Sequence, residues 1–193
     1  MRGPIIVPRE TTFQVSTIIG TLPDNIKARC DQIYPEDYYI QLELVNDQVK
    51  SYLFMQKYKS VNGVPQEIFS KIKAYHALKY PNNYSKQIKL VNDQVKSYLF
   101  LQKYKSAKGV PQKVFDNIKA KYDLICPNEY TEQVTFVNEQ VWSYLKIQDC
   151  KSDVGISKAI FNRIKKKHES RYPKDFLMQK LLIDSDLKEL NLR

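Results

Sequence analysis

The chain is poor in the residues that crosslink, bend or catalyse. Its 193 residues include three cysteines, five glycines, two histidines and one tryptophan. Three cysteines are too few, and too odd a number, for a disulfide framework. The low glycine content, together with an apolar content of 42%, argues against extensive disorder. No segment approaches about 18 consecutive apolar residues, so no membrane-spanning helix is predicted.

The beginning of the chain, MRGPIIVPRETTF, lacks the apolar core of a secretory signal and contains two prolines. We therefore expect a short extended arm over residues 1–15. We also expect a cytoplasmic or nuclear location, with neither secretion nor attachment to a membrane.

Repetition is what the chain has in abundance. The string VNDQVKSYLFMQKYKS at 45–60 returns at 91–106 with one change, and it returns again at 137–152 as VNEQVWSYLKIQDCKS. The three copies therefore begin at a fixed interval along the chain. Such a period indicates one supersecondary unit that is packed on copies of itself. We predict a single repeat domain over 16–193, divided into a half repeat at 16–32, repeats at 33–78, 79–124 and 125–170, and a half repeat at 171–193.

Each repeat contains two helical patterns. The first, helix A, carries apolar residues at helical spacing. In repeat 33–78 these are Tyr38, Leu42, Val45, Val49, Tyr52 and Leu53. A glycine turn and then helix B follow, and helix B carries Phe69, Phe115 or Phe161 and ends before the next proline. These patterns predict an all-α fold of tandem helical hairpins, with breaks near Gly63, Gly109 and Gly155 and near Pro35, Pro81, Pro127 and Pro173.

The continuity of helix A is open at this point. Asn46, Asn92 and Asn138 lie near its middle, and asparagine favours the N-cap of a new helix. A continuous helix A predicts an α-solenoid-like array of hairpins. A divided helix A predicts stacked three-helix modules.

The motifs of common catalytic sites do not occur in the sequence. It contains no nucleophile elbow, phosphate-binding glycine loop, HExxH or paired-carboxylate pattern. We expect a protein that is not an enzyme and that needs no cofactor. Cys30, His76, Tyr122 and His168 share one position of helix B, but equivalent positions of packed helices lie about 10 Å apart. Zinc ligands lie about 2.0–2.3 Å from the metal, so no metal site is predicted.

Charge is the strongest indication of a partner. The net charge is +10, and residues 79–124 contain ten Lys or Arg against three Asp or Glu. A row of cations on helix B could contact successive phosphates of DNA or RNA. The alternative is that these side chains complement helix dipoles and keep the surface soluble. The predicted nucleic-acid-binding residues are Lys73, Lys113, Lys119, Lys121, Arg163, Lys165, Lys166 and Lys167.

Helix A also carries repeated amides. Gln41 and Gln48 recur as Gln87 and Gln94 and as Gln133 and Gln140. Amides in successive helical repeats can bind single-stranded bases. The favoured interpretation is that they are hydrogen-bonded between neighbouring helices A.

The single tryptophan suggests a rival function. Trp142 replaces Lys50 and Lys96 of the other repeats, so its position should face solvent. An exposed tryptophan can anchor a protein partner, which would make the chain an interaction scaffold. It could equally lie over a neighbouring helix of its own array.

One family resemblance is visible in outline. The Gly-Val-Pro turn, the helix that follows it and the terminal proline resemble the helical repeats of mitochondrial transcription termination factors. Those repeats are shorter and have no counterpart of the long helix A. We therefore assign no family and carry over no residue roles.

Overall fold

The structure is a computed structural model that describes residues 24–149 and 156–191. The predicted arm at 1–15, and with it Gly155, lies outside the described residues. The described residues form eight helices and no strand. They are α1 (Asp24–Ile33), α2 (Tyr38–Lys57), α3 (Gln66–Lys79), α4 (Tyr84–Lys103), α5 (Gln112–Ile125), α6 (Tyr130–Asp149), α7 (Lys158–Arg171) and α8 (Phe176–Asn191).

The prediction of tandem helical hairpins is confirmed. Helices α2, α4, α6 and α8 are the A helices, and α1, α3, α5 and α7 are the B helices. Helix A runs without a break through Asn46, Asn92 and Asn138, so the alternative of three-helix modules is wrong. Its apolar stripe continues in phase through these residues, and packing along that stripe outweighs the capping preference of asparagine. None of the described helices is long and apolar enough to cross a membrane.

The breaks fall where glycine and proline predicted them. Gly63 and Gly109 adopt φ values of +87° and +91°, a region that side chains with a Cβ rarely occupy. A Cβ at Gly63 would also lie 3.1 Å from a methyl carbon of Leu99, and one at Gly109 would lie 3.1 Å from Leu145. Each glycine therefore permits both the turn and the close approach of the following helix A.

The chain divides into two compact units. The described part of the first comprises 24–58 and 80–88, which contain α1, α2 and the start of α4. Within it, Tyr52 packs edge-on against Tyr84, with ring centroids 5.0 Å apart. Arg29 donates a hydrogen bond of 3.3 Å to the carbonyl oxygen of Pro81.

The second unit comprises 59–79, 89–149 and 156–191. Phe69 and Phe115 of its B helices are fully buried, as predicted. Phe161 is partly buried, because it lies at the edge of an apolar cluster. That cluster joins α6, α7 and α8 and consists of Ile147, Ile164, Ile183 and Leu187.

Two residues of the predicted apolar stripe are exposed. Tyr38 and Leu42 of α2 keep 80% and 68% of their surface accessible. Their equivalents in α4, Tyr84 and Ile88, are half-buried. The difference arises because Tyr84 packs against the tyrosine of a preceding helix A, and Tyr38 has no such contact with the described residues.

Phe115 offers a direct test of the repeat core. Its side chain is 1% exposed and packs edge-on against Tyr104 at 4.8 Å. We expect Phe115→Ala to lower the free energy of unfolding by about 3–5 kcal/mol, measured by urea denaturation. Leu124 is 84% exposed on the same helix, so Leu124→Ala should cost under about 0.5 kcal/mol. A cost below about 1 kcal/mol for Phe115→Ala would show that helix B packs by another face.

Candidate functional site

The first set of repeated glutamines joins each helix A to the end of the helix B before it. The side-chain amide donates a hydrogen bond to the backbone carbonyl seven residues earlier, beside the proline break. This bond satisfies a carbonyl that the end of helix B leaves without a helical partner. The donors and distances are Gln41 to Tyr34 (2.5 Å), Gln87 to Tyr80 (2.8 Å), Gln133 to Cys126 (2.8 Å) and Gln179 to Tyr172 (2.7 Å).

The second set joins successive A helices. The Gln140 carbonyl oxygen accepts hydrogen bonds from the backbone of Phe176 at 2.7 Å and of Leu177 at 3.4 Å. Its NH2 group donates to Asp175 Oδ1 at 3.0 Å and to the Tyr122 hydroxyl at 3.1 Å. The free amides at the start of α8 are thereby satisfied.

Equivalent bonds recur in the preceding repeats. Gln48 accepts the amide of Tyr84 at 2.7 Å, and Gln94 accepts the amide of Thr131 at 3.3 Å. The side-chain amide of Gln94 also donates to Glu129 at 2.7 Å. The side-chain amides of all three glutamines are hydrogen-bonded within the protein, which argues against the base-binding interpretation.

Three equivalent B-helix residues of the second unit, His76, Tyr122 and His168, form a buried column, and Tyr122 contacts Gln140 of the second set. Cys30 has the same position in its own helix B and is also buried. His168 Nε2 lies 3.0 Å from Asp186 Oδ2, where Asp186 takes the place of Gln140. No group of three or more His, Cys, Asp or Glu within the described ranges could hold a metal ion.

Two carboxylates sit at the starts of helices A beside this column. Burial raises the pKa of Glu129, but hydrogen bonds from Tyr75 and Lys79 bring that pKa below its usual range. Burial also raises the pKa of Asp175, but hydrogen bonds from Gln140, the Met178 amide and Lys121 bring that pKa below its usual range. Both groups are therefore ionised and bonded to the preceding repeat.

Half of the predicted nucleic-acid-binding residues make intramolecular bonds. Lys119 Nζ donates to the carbonyl oxygen of Leu101 at 2.7 Å, near the end of α4. Lys165 occupies the equivalent position and donates to Gln148 Oε1 at 3.1 Å. The ammonium groups of Lys121 and Lys167 pair with carboxylates, at 3.2 Å from Asp175 and 2.9 Å from Asp186.

The other four predicted residues differ in exposure. Lys73 is half-buried, and its ammonium lies 5.7 Å from the ring centroid of Phe69. Lys113, Arg163 and Lys166 are exposed. Of the eight predicted residues, these three are exposed and form no ion pair with the described residues.

The outer face of the A helices brings cations and aromatic rings together. On α4, Lys96, Phe100 and Lys103 lie one turn apart on one side of the helix, and all three are exposed. The Phe100 ring keeps 45% of its surface accessible. Among the described residues, Lys96 and Lys103 form no ion pair.

Trp142 lies on the equivalent face of α6. It is 51% exposed, in agreement with the expectation that its position faces solvent. The ammonium groups of Lys146 and Lys180 lie 5.6 and 5.0 Å from its ring centroid. Since Lys180 belongs to α8, the ring also covers part of a neighbouring helix. We call Lys96, Phe100, Lys103, Trp142, Lys146 and Lys180 the lysine–aromatic face.

A pattern in the sequence indicates this face, but the helix B hypothesis did not use it. Positions 96 and 100 hold Lys and Phe, while the equivalent positions 142 and 146 hold Trp and Lys. A cation and an aromatic residue therefore recur four residues apart, with their order exchanged. Helical spacing places such a pair on one side of a helix.

Comparisons with known proteins identify no relative. No family model, no curated protein and no solved structure matches the chain.

The buried His76 predicts a pH dependence of stability. Burial lowers the pKa of His76, partly opposed by Glu129. Below the ordinary histidine pKa of about 6.5, the unfolded chain binds a proton that the folded chain does not. Stability should therefore fall as the pH drops from 7 to 5. His76→Tyr, which installs the residue of the next repeat, should flatten that profile, measured as melting temperature against pH.

The reciprocal change provides the control. Tyr122→His places a histidine at the equivalent buried position and should steepen the fall in melting temperature over the same pH range. Identical profiles for the wild type and His76→Tyr would contradict this account.

Proposed function

We propose that the protein binds nucleic acid, and that the contact surface is the lysine–aromatic face of its A helices. The observation that carries the proposal is the exposure of Phe100 on α4 and of Trp142 on α6, each with a lysine four residues away on the same face of its helix. Lysines neutralise phosphates, while aromatic rings stack on unpaired bases. A single strand offers both kinds of contact at once, so single-stranded DNA or RNA is the preferred ligand class.

The bonding of the B-helix cations supports this choice of surface. The Lys119 ammonium is already held by the carbonyl oxygen of Leu101. The Asp175 carboxylate that pairs with Lys121 would repel a phosphate at that position. Lys96 and Lys103 carry no such commitment to the described residues. A phosphate can therefore be bound on α4 without a loss of internal hydrogen bonds.

The alternative is a scaffold that binds another protein through Trp142. The exposed half of this ring favours it, since tryptophan is common among the residues that dominate protein interfaces. The two functions differ in their response to salt. Phosphate contacts weaken steeply as salt increases, and an apolar contact does not.

The test uses fluorescence anisotropy with a labelled oligothymidine, an oligouridine and a DNA duplex at several salt concentrations. We expect salt-sensitive binding, tighter for the single strands. Replacing Lys96, Lys103 and Lys146 with Gln should reduce the slope of log affinity against log salt by about 2, because each lost contact removes about 0.7–0.9. Trp142 is the only tryptophan, so its fluorescence should be quenched on binding.

A matched control replaces the exposed B-helix cations Lys113, Arg163 and Lys166 with Gln. This variant loses the same number of charges and should keep most of the affinity and slope. If it loses them instead, the site lies on helix B. Wild-type protein that shows no salt-sensitive binding to any of the three probes would refute nucleic-acid binding and leave the scaffold.

A further inference from the structure

Helices α6 and α8 each begin with three contacts of the same kind: a carboxylate–lysine ion pair, a first-turn amide bonded to a glutamine, and an aromatic ring packed on a tyrosine of the preceding helix A. For α8, Asp175 pairs with Lys121 at 3.2 Å, and the Phe176 amide donates to Gln140 at 2.7 Å. The Phe176 ring packs edge-on against Tyr144, with centroids 5.0 Å apart. A carboxylate, a helix start and an aromatic ring thus enter the groove between a helix B and a helix A.

The start of α4 makes two of these contacts inside the first unit, with Asn83 in place of the carboxylate. Gln48 accepts the Tyr84 amide, and the Tyr84 ring packs against Tyr52. The same mode of packing thus occurs in both compact units.

The start of α2 presents these groups without a contact to another helix A of the described residues, although the Asp37 carboxylate caps its own helix by accepting the Ile40 amide at 3.0 Å. Asp37 is equivalent to Asp175, and Tyr38 is equivalent to Phe176. Tyr38 and the adjacent Tyr39 are 80% and 72% exposed. Two tyrosine rings and an acidic N-cap therefore face outward.

The receiving groove is also open, between α7 and α8. Its lining includes Lys167 and Leu190, which are equivalent to Lys121 and Tyr144 of the internal contact. Ile160 and Ile164 add an apolar floor. This groove therefore repeats the charge and the apolar position that α8 uses on the preceding hairpin.

We infer that the exposed start of α2 and the α7–α8 groove are the two halves of a contact between copies of this chain. Tyr38 of one copy packs on Leu190 of the next, and Asp37 pairs with Lys167. Such a contact joins two different surfaces, so it is heterologous and can add copies in sequence.

Two groove residues keep this contact weak. Asp186 occupies the position of Gln140, whose amide donates a hydrogen bond to Asp175 in the internal contact. In the proposed contact, Asp37 would therefore meet a carboxylate instead of an amide donor. Glu189 stands where Ser143 is fully buried beneath α8. A charged side chain at that position must be moved aside or desolvated before another helix can pack.

The test restores the internal residues and measures mass by sedimentation velocity across a range of protein concentrations. The full-length variant with Asp186→Gln and Glu189→Ser should associate at least tenfold more tightly than the wild type, or than the detection limit if the wild type is monomeric. Adding Tyr38→Ser should return this variant to the monomer. Adding Leu124→Ser, a change at an equally exposed residue of α5, should leave the association intact.

Each alternative result would overturn the inference. The double variant could remain as monomeric as the wild type, or its association could be insensitive to Tyr38→Ser. A monomeric double variant whose melting temperature falls on Tyr38→Ser would show that a segment of the same chain covers α2. Binding to oligonucleotides plays no part in these measurements, so they stand apart from the proposed function.

Discussion

The junction between repeats depends on one glutamine side chain in each of α2, α4 and α6, whose amide group is hydrogen-bonded to the next helix A. Every helix begins with backbone N–H groups that lack helical partners, and a helix that starts inside a packed array cannot leave them to water. Gln48, Gln94 and Gln140 accept these groups from the next helix A. Because each glutamine also donates to a side chain at that junction, it fixes the position of the incoming helix as well as its hydrogen bonding. The same hydrogen-bonded junction therefore recurs once in each period of the sequence.

The same junction determines which charged side chains are bonded inside the protein. Glu129 and Asp175 lie at the starts of A helices, where they bind the side chains of the preceding helix B. Lysines that appear from the sequence to be a basic surface are consequently part of the seam. A buried hydrogen-bonded ion contributes to a specific arrangement of neighbours, and a lysine in that role is poorly placed to hold a phosphate. Lys96 and Lys103, which form no ion pair with the described residues, lie instead on the exposed face of α4.

Much of the fold could be predicted from the sequence, because period and apolar spacing report on packing directly. The hairpins, the glycine turns and the burial of Phe115 follow from those patterns alone. The continuity of helix A did not, since asparagine is tolerated inside a helix when packing favours it. Nor did the bonding of Lys121, because its partner Asp175 lies 54 residues further along the chain. The exposure of Tyr38 was missed for a related reason: its helical stripe is intact, but burial requires a preceding helix A. For the candidate site, the exposed position of Trp142 was predictable from its lysine equivalents and the nearness of Lys146 from helical spacing. The contact of Lys180 with the ring was not, because it depends on the packing of α6 against α8.

Native-state hydrogen exchange tests the role of the glutamine junction most directly. Backbone amides in the first turn of a helix normally exchange quickly, because they have no helical acceptor. Here the amides of Tyr84, Thr131 and Phe176 should be protected, since each donates to a glutamine side chain. The amides of Tyr38 and Tyr39 in α2 occupy equivalent positions and should exchange far faster. Equal exchange at all these positions would contradict the claim that the amides join one repeat to the next.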